Sequence, residues 1–222
     1  MSDCEGRPER GPHHHLWCFV RQWRTTHALW IALALVAIAS FAAGSARDHY
    51  IALSALGLAL LPAAIEGLSG IRLPRGFVLA CGVFTVLTIT LGELADFYQR
   101  VAWWDVAMHA ASGFVVGGIG LVGALTLLAH LGIRRAILLP GLFAFFTALG
   151  VAGAWELFEY LLDARYGFST QQDLADTMHD IALGGAGGAL AAFWGIMHLR
   201  GRGGAPFGRL IDGAVAENAP YP

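Results

Sequence analysis

Apolar residues occupy this chain in six long blocks, residues 28–43, 50–64, 76–94, 106–131, 136–160 and 176–199, parted by short polar joints. Most of these blocks approach the roughly 20 residues that a helix needs to cross the hydrocarbon core. A segment in lipid must satisfy its backbone hydrogen bonds internally, so continuous apolar blocks of this length predict helices. The expected fold is therefore all-α, a polytopic membrane protein of six transmembrane helices. Residues 1–27 form a basic, amphipathic arm, 28–200 the transmembrane domain, and 201–222 a tail. Six spans leave no room for a separate soluble domain of ordinary size.

The first block has a second reading. Basic residues, a 16-residue apolar run and then Gly44, Ser45 and Ala46 also fit a cleaved signal peptide. A retained helix is the favoured expectation, and cleavage would leave the later helix ends on the same side. Just before that block, Trp17, Phe19 and Trp23 interleave with Arg21 and Arg24, a pattern suited to the inner headgroup region.

Composition supports the membrane assignment. Hydrophobic residues make up 56% of the 222 residues and charged residues 14%, against about 25% charged in soluble domains. Every one of the 14 basic residues is arginine. Along alternating loops, Arg7, Arg10, Arg21, Arg24, Arg72, Arg75, Arg134, Arg135, Arg200, Arg202 and Arg209 fall on one side, and Arg47, Arg100 and Arg165 on the other. The positive-inside rule then puts both termini in the cytoplasm. The net charge of −2 sums a basic inner face and an acidic outer one, and nothing resembles a nucleic-acid surface. Cys4, Cys18 and Cys81 form no disulfide framework, and the run His13–His14–His15 reads as solvated arm.

Charge placement changes the picture from scaffold to site. Nine of the 16 carboxylates lie within 93–105 and 156–180, where apolar blocks end or begin. Threaded from an inside N-terminus, Glu93 and Asp96 close the third span, and Asp105 and His109 open the fourth. Glu156, Glu159 and Asp163 close the fifth, and Asp173, Asp176 and Asp180 open the sixth. All converge on the outer interface. Asp105 and His109 are four apart, Glu156 and Glu159 three apart, and Asp176 and Asp180 four apart, which puts each pair on one helix face.

Caps account for part of this set. Asp105 and Asp173 stand at helix starts, where the dipole favours a carboxylate. Glu156, Glu159 and Asp180 sit inside apolar sequence, where ionisable groups are costly and usually functional. So many acids in a partly dry space demand protonation or a cation. One imidazole among carboxylates suits Mg²⁺, Mn²⁺, Ca²⁺ or Zn²⁺. Asp105, His109, Asp176 and Asp180 are the expected metal ligands, with Glu156 and Glu159 as catalytic carboxylates. His179 projects about 100° from Asp180 and is expected to face elsewhere. His130 and His198 end their helices, and Glu66 reads as an ion-pair partner of Arg72 or Arg75. Gly113, Gly117, Gly120, Gly184, Gly185, Gly187 and Gly188 give small residues at helical spacing, which in lipid allow backbones to approach closely.

The ordered set Trp104-Asp105-x-x-x-His109 with Gly113, then Trp155-Glu156-x-x-Glu159, then Thr170-Gln171 followed by Asp176-Thr177-x-x-Asp180 resembles the YjdF-like family of bacterial inner-membrane proteins. The likeness covers residues 92–192. It is similar, more weakly, to the VanZ-like group. Ala110 after the histidine and Gln172 after Gln171 depart from the usual pattern, but the polar set is intact. The resemblance implies a compact helical domain with a shared polar site in the bacterial cytoplasmic membrane, and it implies no reaction.

The sequence is compatible with three roles. One is metal-dependent hydrolysis or transfer on a lipid or polyprenyl headgroup. The second is cation- or proton-coupled transport, and the third a non-catalytic binding or assembly role with a protein partner or a second copy. Membrane lipids are the expected partners in all three.

Overall fold

The computed structural model describes residues 24–43, 46–69, 75–133, 136–202 and 205–218. Among these residues the chain is helical with no strand. The elements are α1 (Arg24–Ala43), α2 (Ala46–Ser69), α3 (Arg75–Thr85) running on as a π-helix (Val86–Leu94), the single turn α4 (Phe97–Arg100), α5 (Trp104–His130), α6 (Leu138–Tyr166), α7 (Leu174–Leu199) and α8 (Ala205–Asn218). Among the described residues three helices, α5, α6 and α7, are long and apolar enough to cross a membrane, and Asp48–Ala64 and Val78–Leu94 are shorter apolar helical stretches.

The boundaries follow local chemistry. α6 stops where Gly167 takes a left-handed conformation (φ 66°) and donates its N–H to the Asp163 carbonyl, the usual glycine C-cap. α7 starts at Asp173, whose carboxylate accepts from the Asp176 N–H at 2.9 Å. The third apolar block is helical throughout, but its second half is wound with π geometry. It closes with Ala95 donating to the Thr90 carbonyl, and Asp96 turns left-handed (φ 55°). Aspartate is among the few non-glycine residues that visit that region readily. Pro62 inside α2 cannot donate to the turn before it. The Ala59 carbonyl, one residue past the Leu58 carbonyl that Pro62 cannot serve, accepts from the Trp30 indole at 2.9 Å.

Two packing centres result. Leu33, Ala55, Ala59 and Ile89 join α1, α2 and the π-helix, and Trp155 of α6 packs against them. Leu121, Ala144, Ala192 and Ile211 join α5, α6, α7 and α8. The glycine stripe sits at the α5–α7 contact. A Cβ on Gly113 would overlap the Gly184 carbonyl, and one on Gly187 would overlap the Ala110 carbonyl. On the other side of α7, Gly184 and Gly188 receive the methyls of Ala152 and Ala148. Backbones this close give dispersion contact that apolar side chains facing lipid do not.

The tail holds a helix the hydrophobic pattern does not single out. In α8, Gly208, Ile211 and Ala214 are buried, while Arg209, Asp212 and Glu217 are exposed. Phe207 meets the Phe114 ring with centroids 5.0 Å apart. The His13–His15 run, Cys4, Cys18 and the aromatic segment before α1 lie outside the described residues.

Candidate functional site

The π-helix ends, α5 begins, α6 ends and α7 begins at one end of the bundle. Asp105 is in the first turn of α5, and His109 follows one turn on. Their side chains meet, with Nε2 of His109 3.3 Å from Oδ1 of Asp105. Oδ2 of Asp180 lies 3.7 Å from the same nitrogen. One donor atom from each of the three lies within 4.8 Å of the others. Glycine packing explains the meeting. Gly113 is one turn below His109 and Gly184 one turn below Asp180, and their backbones touch. With α5 and α7 drawn together there, side chains one turn above must converge.

These residues open onto a cavity of about 80 Å³, room for a cation with some of its water. It is lined by Glu93, Asp96, Asp105, Glu159, Asp176 and Asp180, by His109, and by neutral groups including Tyr98, Gln99, Ser169, Thr170 and Gln172. Among the described residues no arginine belongs to the lining; Arg100 beside it pairs with Asp96 at 3.4 Å and is exposed.

The other expected site residues take distinct places. Glu159 lines the cavity, and its Oε1 accepts from the Trp155 indole at 2.9 Å. Glu156 is 4% exposed and stands outside the lining. Nε2 of Gln171 donates both to its carbonyl at 2.9 Å and to its Oε2 at 3.1 Å. Its Oε1 is buried with no hydrogen-bond partner among the described residues. Asp176 lines the cavity outside the three-atom group, and one of its oxygens accepts from the Gln172 N–H at 3.3 Å. His179 is exposed. Ser112 donates to the His109 carbonyl at 2.8 Å, a bond within its own helix. The Glu66 side chain lies outside the described residues.

Residues 25–201 match the family described as Predicted membrane protein (DUF2238). The chain belongs to that family. No curated protein and no solved structure matches it. The matched part of this DUF2238 member contains the whole acidic end of the bundle and stops just before α8.

Two contributors were not assigned a role from the sequence. Asp163 anchors the segment between α6 and α7. Its carboxylate accepts from the Thr170 N–H at 2.9 Å, the Thr170 hydroxyl at 2.7 Å and the Gln171 N–H at 3.0 Å. That anchoring delivers Gln171 to Glu156. The pairing of Asp163 with a following Gly167 and Thr170 was the available signal. Tyr98 is the second. Its ring lies against Gly92, where a Cβ would overlap it, and it lines the cavity. Burial first, then the charges of Asp105, Glu93, Glu159 and Asp180, hold its phenol above the ordinary value. It therefore stays a protonated donor.

Two carboxylates and an imidazole converging from two helices, with further acids around them, form a donor set of the kind that holds a hard or borderline divalent cation.

Proposed function

We propose that this DUF2238 protein is a six-helix protein of the bacterial inner membrane, YjdF-like, with both termini in the cytoplasm. It binds a divalent cation at Asp105, His109 and Asp180, with Asp176 as an outer ligand. It uses that cation for hydrolysis or transfer on a lipid or polyprenyl headgroup at the outer leaflet. The observation that carries the reading is the convergence of three donor atoms within 4.8 Å beside a cavity of carboxylates. With no arginine among the described lining residues, a bound cation supplies the positive charge that phosphate chemistry needs. Glu159, inside the cavity, is the general base. Glu156, behind it and tied to Gln171, buttresses the segment.

Orientation rests on the arginine asymmetry of the loops. The transport reading has less support. Directly below the site Gly113 and Gly117 meet Gly184 and Gly188 backbone to backbone, which leaves no polar path between these two helices.

The test is the metal content and thermal stability of detergent-purified protein. Free metal at about 100 times its dissociation constant adds roughly 2.7 kcal/mol to stability. Chelator should therefore lower the melting temperature, and Asp180→Asn or Asp105→Asn should shrink that response, while Glu66→Gln leaves it intact. Protein with no stoichiometric metal, and no stabilisation by Mg²⁺, Mn²⁺, Ca²⁺ or Zn²⁺, would overturn the proposal.

A further inference from the structure

The lining of the cavity is unbalanced in one respect. Ionised carboxylates only accept hydrogen bonds, and a phosphate-type oxygen brought to the cation would need donors as well. Most neutral groups around the cavity are engaged or at its rim. The Thr170 hydroxyl donates to Asp163, and Gln99, Ser169 and Gln172 are exposed. Tyr98 differs. It is half-buried, it lines the cavity, and its hydroxyl makes no hydrogen bond among the described residues. A tyrosine packed into a protein ordinarily gives its hydroxyl a partner.

The placement is built by backbone. The π-helix ends at Leu94, Asp96 reverses the chain with a positive φ, and the single turn α4 folds back over Gly92. A side chain at 92 would occupy the space of the Tyr98 ring. Only glycine lets the ring lie there.

We propose that Tyr98 is a ligand-contacting residue, its hydroxyl donating to an anionic oxygen of a phosphate-bearing ligand held beside the cation. Gly92 is the positioning residue that lets it do so. The inference rests on the cation site proposed above and adds the donor that this site needs for a phosphate oxygen. That oxygen could belong to a lipid headgroup or to free phosphate, and the two sources are separable.

The experiment uses the full chain in detergent, with Mn²⁺ as metal probe read by electron paramagnetic resonance. Two ligand probes are added in separate arms, phosphatidic acid in mixed micelles and inorganic phosphate. Each is scored by its change of the bound Mn²⁺ signal. Tyr98→Phe should keep the Mn²⁺ dissociation constant within about twofold and weaken the ligand probe at least about tenfold, the scale of a hydrogen bond to a charged group. Gly92→Val should reproduce that split with the phenol still present. A response to phosphatidic acid alone identifies a lipid headgroup, and a response to both identifies the phosphate group itself. If Tyr98→Phe binds the probes as the parent does, or loses Mn²⁺ to the same extent, the inference is overturned. If the parent binds Mn²⁺ but neither ligand probe, the inference falls and the cation site stands. If the parent binds no Mn²⁺, both fall.

Discussion

Gln171 fastens the Asp163-anchored segment between α6 and α7 to the buried Glu156, and replacing it by alanine tests what that second fastening contributes. The carboxamide gives two hydrogen bonds to Glu156, at 2.9 and 3.1 Å, and Glu156 is 4% exposed. Truncation leaves Oε2 without that donor beside an Oε1 that already has none among the described residues. A backbone bond contributes about 1 kcal/mol and a bond to a buried carboxylate about 1.5–3 kcal/mol, so Gln171→Ala should cost about 3 kcal/mol. At roughly 2–4 °C per kcal/mol for a chain of this size, the melting temperature in detergent should fall by about 6–12 °C. The partner variant sharpens the test. In Glu156→Leu the carboxylate that would be orphaned is gone, so adding Gln171→Ala to it should cost less than Gln171→Ala alone, with a coupling of about 1–2 kcal/mol. Strict additivity, or a single-variant loss below about 0.5 kcal/mol, would refute the idea that Gln171 stabilises through Glu156.

Other outcomes are expected at independent places. Gly113→Val puts a side chain where the Gly184 carbonyl lies, so it should cost about 1–3 kcal/mol or more by overpacking. Gly57→Ala, whose Cβ meets nothing within 4 Å, should stay within about 0.5 kcal/mol; equal melting temperatures for the two would be contrary. His198→Ala removes a 2.8 Å pair with Asp212, an acid 67% exposed, and should change stability by under about 1 kcal/mol, which the same denaturation curves report. For orientation, cysteine at 165 should react with an impermeant reagent in intact cells and cysteine at 134 should not; the reverse pattern would invert the topology.

The pattern of the chain determined a good deal by itself. Lipid leaves a backbone one main way to hide its polar groups in a single segment, so the apolar blocks read directly as helices. Those at α5, α6 and α7 agree with the structure to within a few residues, apart from a longer C-terminal end of α6. Period and polarity also marked Asp105, His109, Glu159, Asp176 and Asp180 as residues of one end of the bundle. What the pattern could not carry was depth and partnership. Glu156 and Glu159 look alike in sequence, one turn apart on α6, yet one faces the cavity and the other lies behind it. That distinction depends on the rotation of α6 against α7 and on where the Asp163-anchored segment delivers Gln171. Asp176 and Asp180 share a face, but only Asp180 sits one turn above a point where two glycine backbones touch, so only it closes on His109. Tyr98 was hidden for the same reason. Its position comes from a left-handed aspartate and a bare glycine six residues before it, features whose effect exists only after the chain has turned back on itself. Helix-forming tendency is local and survives in the order of residues, whereas a site is a coincidence of side chains from separate helices, and only packing fixes which of them coincide.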